Sequence, residues 1–363
     1  MTAFEPSLAA DDLEHVLSHT RDLWEEVRGA RLFITGGAGF FGMWLLESFL
    51  WANERLDLDA RAVVLTRDPA ALARKAPHLA THPSIELWAG SMERFDYPAG
   101  RFSHVIHAAT EPFLTYPECE RPAAFARDVQ GTLRVLELAR QCGAQRLLFA
   151  SSGAVYGRQP PEMAHVSEEY CGAPDPMDTA SGYGHAKRLS EHFCAAYARN
   201  WGIECKIARC FAFVGPYLPL EANYAVGNFI RDALQGGPIV VAGDGTPYRS
   251  YLYAADLAVW LWTILFRGAS CRPYNVGSEV DLTISQLAQG VASAFQPSRE
   301  VRVSRVPVPG RPAGRYVPST RRAAEDLNLH VSFDLAAAIT RTARWYASIE
   351  ERKRPAPRVK VSR

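Results

Sequence analysis

Thr35-Gly36-Gly37-Ala38-Gly39-Phe40-Phe41-Gly42 is the stretch that decides the fold. It follows Leu32-Phe33-Ile34, an apolar run too short for a helix and suited to a buried strand. It opens into Met43-Trp44-Leu45-Leu46-Glu47-Ser48-Phe49-Leu50, whose apolar spacing predicts a helix. A glycine-rich turn between strand and helix permits a tight bend, close approach of a diphosphate and close helix packing at Gly36, Gly39 and Gly42. The free N–H groups at the helix start, around Phe40 and Phe41, then face negative charge. The spacing is G-x-x-G-x-x-G, which serves a dinucleotide loop and also a purely structural glycine turn.

Outward from this turn, strands alternate with helices. Arg61-Ala62-Val63-Val64-Leu65-Thr66-Arg67, Ile85 to Gly90, His104 to Ala109, Arg146 to Ala150 and Glu204 to Arg209 read as further strands, and Arg121 to Cys142 as a helix. That alternation predicts an α/β fold: a Rossmann-type, doubly wound parallel sheet. The second strand ends in Thr66-Arg67, where a carboxylate would suit the ribose of NAD. A hydroxyl and an arginine suit a 2′-phosphate, so the expected cofactor is NAD or NADP with NADP favoured; a solvated arginine at a strand end is the alternative. The fourth strand ends in the small residues Ala108-Ala109, which let a cofactor approach the backbone. Ser152 stands at the end of the fifth strand, where ligands of open α/β sheets bind. After a proline-rich loop from Gln159 to Asp178, Tyr183 and Lys187 fall four apart on one face of a helix reaching about Asn200.

The flanks are of other kinds. Before the first strand, Leu13, Val16, Leu17, Thr20, Trp24 and Val27 lie three or four apart, with Asp11 or Asp12 placed to cap an amphipathic helix. Docking in cis accounts for it, and partner binding is the other use. Beyond residue 210 the chain becomes rich in Gly and Pro, as in Gly236-Gly237-Pro238 and Gly243-Asp244-Gly245-Thr246-Pro247, which predicts a smaller, irregular lobe. The expected organisation is a helical extension over 1–30, a cofactor domain over 31–210, a mainly substrate-binding lobe over 211–348 that returns in places to the core, and a basic, frayed tail over 349–363.

Composition bounds the function. With 363 residues, 48% hydrophobic and 22% charged, the chain has the profile of a soluble globular protein. A net charge of +1 gives no electrostatic case for nucleic acid. No apolar run approaches a membrane span; the richest, Ala254 to Phe266, contains Asp256. Seven scattered cysteines without a C-x-x-C pair read as reduced thiols, with no metal site and a cytoplasmic location. The N-terminus carries no secretion pattern.

Together, in order, Thr35 to Gly42, His107-Ala108-Ala109, Ser151 to Gly157, Tyr183-x-x-x-Lys187, Gly215-Pro216, Gly243 to Thr246 with Arg249-Ser250-Tyr251, Asp256-Leu257-Ala258 and Tyr274-Asn275-Val276-Gly277 resemble the extended short-chain dehydrogenase/reductases, in particular the nucleotide-sugar epimerase/dehydratase family. The resemblance covers roughly residues 31 to 348. It implies a nucleotide-diphosphate sugar as substrate, Tyr183 as acid/base assisted by Lys187, and Ser152 holding the same substrate oxygen. It also implies Arg249, and more weakly Asn275 and Arg311, at the substrate's phosphates or sugar, and a homodimer built on the helices of Arg121 to Cys142 and after Tyr183.

The departures from the family select the subclass. Members that eliminate water resemble one another in an Asp-Glu pair after the catalytic hydroxyl, and its decarboxylases carry a glutamate nearby; here Gly153-Ala154 stand there. The implied activity is a C4 epimerase, with an NADPH-dependent 4-keto-sugar reductase as alternative and a non-catalytic cofactor-binding regulator as the reading of another class. An asparagine common in the family is Ala212, its contact left to Asn223 or Asn228; the acidic residue near the adenine is Ser91; the asparagine of the helix before strand five is Asp128.

Overall fold

The computed structural model describes residues 4–111 and 113–353. Seven parallel strands form the central sheet: β1 (Arg31–Thr35), β2 (Arg61–Thr66), β3 (Ile85–Ala89), β4 (His104–His107), β5 (Arg146–Ser152), β6 (Glu204–Cys210) and β7 (Pro273–Val276), in the spatial order 7-6-5-4-1-2-3. The order reverses between β1 and β4, so the crevice for a ligand opens beyond the ends of those two strands. Side chains alternate across the sheet. Leu32 and Ile34 join one core, Phe33 the other, and neither face meets water.

On the first face lie α1 (Ala10–Thr20), α2 (Phe40–Arg55) and a later helix, Ala254–Arg267. On the second lie α3 (Arg121–Gln141) and α4 (Gly182–Trp201), packed side by side. We label the Ala254–Arg267 helix α5. Its apolar residues face all directions, and Ala254 through Phe266 are buried. That explains the richest apolar run of the sequence: it is an internal helix wedged between sheet and extension. Among the described residues no helix is long and apolar enough to cross a membrane.

The N-terminal extension docks in cis. Leu13, Val16, Leu17, Thr20, Trp24 and Val27 are all buried, and Trp24 meets Trp262 of α5 with ring centroids 4.6 Å apart. Two details differ from the sequence reading. The helical turn from Arg21 to Val27 is tighter than an α-helix, and the cap position is Ala9, with no side-chain cap. Asp12 turns inward instead, where it accepts from the Tyr253 hydroxyl at 2.6 Å and from Arg341 at 2.8 Å. A partnered inward carboxylate outcompetes an exposed cap, because a lone buried Tyr253 hydroxyl would go unsatisfied.

The segment after residue 210 is interleaved with the core, since α5 and β7 both belong to the main layers. The remainder is built from short pieces. Tyr248–Arg249 pairs with Leu282–Thr283 on one side and Arg315–Tyr316 on the other. A last helix, α6 (Leu335–Lys353), runs through Glu350 to Lys353, which the sequence reading had assigned to a frayed tail; residues 354–363 of that tail lie outside the described residues. The proline-rich loop is anchored too: its Val166 exchanges backbone hydrogen bonds with Val317 and Ser319.

One buried carboxylate joins extension, sheet and lobe. Glu47 on α2 is fully buried and accepts from the backbone N–H groups of Ser7 and Leu8 at 2.9 and 2.8 Å, from the Tyr217 hydroxyl at 2.5 Å, and contacts His78 at 3.1 Å. A buried donor left unmet costs about 1–3 kcal/mol. Glu47→Ala is therefore expected to lower stability by at least about 3 kcal/mol, read from urea midpoints, while the exposed Glu325→Ala stays within about 0.5 kcal/mol.

Candidate active site

The glycine turn is forced by packing as well as by any ligand. Gly36 has φ +77°, and a Cβ there would stand 2.6 Å from the backbone of Ala108 and Ala109. The small residues ending β4 thus meet the turn face to face. α2 starts at Phe40 with Gly39 as its cap, so the N–H groups of Phe40, Phe41 and Gly42 have no acceptor within the helix and point outward from its start. Thr66 is buried at the end of β2, and Arg67 beside it is exposed, without a polar partner among the described residues. Asp68, one place later, is occupied as the cap of the next helix, accepting from Ala71 N–H at 2.9 Å. Ser91 closes a two-hydrogen-bond bridge with Arg94 at the end of β3. These groups form a cradle that fits a dinucleotide: donors for a diphosphate at the helix start and an unpaired cation at the ribose end.

β5 is two residues longer than expected, which makes Ser152 its last residue. Its hydroxyl accepts from Ala154 N–H at 3.1 Å and lies 3.3 Å from the hydroxyl of Tyr316. α4 presents Tyr183 and Lys187 to the same space. Lys187 is 1% exposed, its Nζ 5.7 Å from the Tyr183 ring centre and 3.7 Å from Asp128 Oδ2. Burial first, then the neighbouring Tyr316 and Asp128, push the Tyr183 phenol well above the ordinary tyrosine range, opposed by the nearby Ser152 hydroxyl. So Ser152, Tyr183 and Lys187, separated by up to thirty-five positions, converge beyond the end of β5.

Gly153 is crowded: a Cβ there would stand 2.6 Å from the far end of the Phe211 ring, which would have to shift to admit a larger side chain. Ala154 brings no titratable group. Tyr316 is the residue that sequence reading missed. It stands 164 positions from Ser152, on a two-residue strand, and only the lobe's small sheet brings it in. Its ring lies tilted against Phe211, centroids 4.7 Å apart, and has the Arg249 guanidinium 5.8 Å from its centre, so Arg249 borders the same space.

Three other expected substrate contacts are placed elsewhere. Asn275 is fully buried and saturated: its NH2 donates to Val166 and Ser319 carbonyls at 2.9 and 3.0 Å, and its oxygen accepts from Tyr156 at 2.7 Å. It is a strut joining β7 to two loops, and this corrects its assignment to the substrate. Asn228, with its amide NH2 turned to the Leu220 and Ala222 carbonyls at 2.8 and 2.9 Å, secures the loop before its own helix. Arg311 is exposed and acts electrostatically on Asp244 of the Gly243-to-Thr246 turn.

His107, within the His107-Ala108-Ala109 motif, is a strut as well. Its Nδ1 meets Thr35 Oγ1 at 2.8 Å and its Nε2 meets Thr132 Oγ1 at 3.1 Å. Burial, and secondarily Lys187, lower its pKa from 6.5 to about 3. The folded value lies below the unfolded one, so no penalty applies above pH 6.5, and stability falls as pH drops towards 3 while only the unfolded chain takes up the proton. At pH 5 this amounts to about 2 kcal/mol. His107→Gln should shrink the loss between pH 7 and pH 5 by about that much, measured by urea unfolding at both pH values.

Comparison with known proteins places this geometry in a lineage. The family model described as the NAD dependent epimerase/dehydratase family matches residues 32–277. The chain is 33% identical over 261 residues to UDP-glucuronic acid decarboxylase 1 of Xenopus tropicalis, covering 71% of this chain and 59% of that protein. It is 31% identical to UDP-glucuronic acid decarboxylase 6 of Arabidopsis thaliana, covering 75% and 76%. Among solved structures, a UDP-glucose 4-epimerase of Thermotoga maritima, crystallised with UDP-glucose, superposes with a TM-score of 0.73 at 20% identity, over 88% of this chain and 99% of that one. The chain belongs to the NAD-dependent epimerase/dehydratase family, an extended short-chain dehydrogenase/reductase lineage.

Proposed function

We propose that the protein oxidises and reduces C4 of a nucleotide-diphosphate sugar, and that its net reaction is C4 epimerisation. The carrying observation is the content of the site around Ser152. Tyr183, Lys187 and the Ser152 hydroxyl supply one proton-moving centre, while Gly153, crowded by Phe211, and Ala154 supply none. One such centre is enough to remove and restore the hydrogen at C4. Elimination or loss of a carboxyl group, with a second proton transfer, would draw on a further acid or base.

A bound NAD or NADP supplies the hydride chemistry, accepting hydride from the sugar and returning it. The cradle residues assigned to it are the turn Gly36 to Gly42, with the N–H groups of Phe40 and Phe41 at the diphosphate, Thr66 and Arg67 at the adenosine ribose, Ser91 near the adenine, and the backbone of Ala108 and Ala109 along its length. Tyr183 holds the proton of the C4 hydroxyl. Lys187, on the same helix face, favours the phenolate by its charge. Ser152 and Tyr316 fix the sugar oxygen in line, and Arg249 takes the diphosphate of the sugar nucleotide. Asn228 acts through the lobe loop it holds, and Arg311 remains the weaker candidate for the substrate's phosphates or sugar. The outward faces of α3 and α4, where Phe125 and Leu189 border a shallow cleft, are the proposed seat of a two-fold dimer.

The exposed, unpartnered Arg67 favours a second reading, an NADPH-dependent 4-keto-sugar reductase. The two readings separate in cofactor balance: an epimerase regenerates its cofactor each turnover and a reductase consumes it. Purified protein incubated with a panel of nucleotide sugars, including UDP-glucose, UDP-galactose and UDP-glucuronic acid, with and without NADPH, is expected to interconvert a C4 pair without net NADPH use. Stoichiometric NADPH loss selects the reductase, and release of carbon dioxide from UDP-glucuronic acid overturns both. On whichever sugar reacts, Tyr183→Phe is expected to lower turnover by about 100- to 10,000-fold while cofactor binding persists.

A charge-assisted bond from Arg67 to a 2′-phosphate is worth about 1.5 kcal/mol at a part-exposed site, or about tenfold in affinity. Calorimetry is expected to show tighter binding of NADP than NAD, with the preference lost in Arg67→Ala. Equal affinities in the parent protein would assign Arg67 to solvent.

A further inference from the structure

Asp128 occupies an unusual position for a carboxylate. It lies on α3, is 4% exposed, and sits across from Lys187 of α4. One oxygen, Oδ1, accepts from the Thr110 hydroxyl and from Glu111 N–H, both at 2.9 Å. The other, Oδ2, is buried without a hydrogen-bond partner and stands 3.7 Å from Lys187 Nζ. The Oδ1 contacts would be served equally by the carbonyl of an asparagine. Among the described residues, the group of opposite sign that Oδ2 faces is Lys187.

We propose that Asp128 is a positioning residue that offsets the charge of Lys187 and favours the protonated form of Tyr183, so that the phenol readily returns its proton in the reductive half of the reaction. The proposal rests on Tyr183 being the acid/base group. The physical reason is proximity in a water-poor space. A cation beside a phenol favours the phenolate, and an anion at ion-pair distance from that cation cancels much of the effect. A direct repulsion between Asp128 and the developing phenolate acts in the same sense.

The other groups around the pair leave that offset in place. From β4, His107 is held neutral between two threonines. From β6, burial pushes the Cys210 thiol up to about 12, so it carries no charge. From the lobe, Tyr316 is pushed up to about 12 by burial and stays a phenol. Glu111 turns its carboxylate to Tyr116 and Arg127, and Glu191 on α4 is bound at both oxygens by Arg209. Arg249 has its guanidinium 5.8 Å from the centre of the Tyr316 ring. Among the described residues, Asp128 is the anion paired with Lys187.

Asp128→Asn tests this, since asparagine keeps the acceptor for Thr110 and Glu111 and removes the charge. The readout is ionisation of the Tyr183 phenol by ultraviolet difference spectra. Each full-length protein is compared with its own Tyr183→Phe counterpart, with and without added NAD, across the alkaline range in which it stays folded. In Asp128→Asn the onset and midpoint are expected at least about one pH unit lower than in the parent, with an unchanged melting temperature, and Asp128→Glu is expected to restore the parent titration. Superimposable titrations of parent and Asp128→Asn overturn the proposal, as does a lowered melting temperature without a titration shift. The measurement needs no substrate, so failure of every nucleotide sugar to react would remove the C4 reading and leave this result to stand by itself.

Discussion

A file of hydrogen bonds crosses the middle of the molecule and holds the two halves of the site in register. It runs from Thr35 at the mouth of the glycine turn, through His107 on β4, to Thr132 on α3 and Ser190 on α4, with spacings of 2.8, 3.1 and 3.0 Å. Thr35 also receives Ala109 N–H at 3.2 Å. Ser190 is three residues beyond Lys187, so the helix carrying the reactive pair is pinned to the strand that ends at the cofactor turn. A neutral imidazole suits this task, because it donates at one nitrogen and accepts at the other. Charging it would leave two donors facing a chain that has room for one. The low basicity of His107 is thus a condition for the site's geometry.

The same economy governs the buried charges. Glu191 and Arg209 meet through two contacts of 3.0 and 2.7 Å, and Arg209 reaches on to the Tyr156 hydroxyl, which in turn satisfies Asn275. Ser151 adds a 2.5 Å bond to Glu191. Each ion is compensated within its own cluster, as desolvated charge requires. The Asp128–Lys187 pair departs from this pattern in carrying an unbonded carboxylate oxygen, and the departure falls beside Tyr183.

How far the sequence could be read follows from how local each signal is. Strands β1 to β6 and the faces of α1 and α4 rest on short-range periodicity, and the structure keeps them to within a few residues. Tyr183 and Lys187 were visible because four residues on a helix is itself a geometry. Tyr316 was invisible because its neighbour Ser152 is set by a pairing of Arg315–Tyr316 with Tyr248–Arg249, two-residue strands with no period to detect. Asn275 misled for the opposite reason. A polar residue inside an ordered motif reads as a ligand contact, yet the edge strand β7 needs an amide to satisfy the loops crossing it. Asp12 likewise looked like a helix cap until Tyr253, 241 positions away, claimed it.

The placement of α5 and β7 has a mechanical consequence. Both come from the chain after residue 210, yet one is buried on all sides beneath the sheet and the other extends the sheet itself. The lobe is therefore riveted to the cofactor half by an internal helix and a strand pairing, and a hinge between the halves has no axis about which to turn without breaking the core. The segments left outside that rivet include the proline-rich loop and the stretch leading to Tyr316. Those two are stitched together at Val166 and Val317, so neither can shift without straining the other.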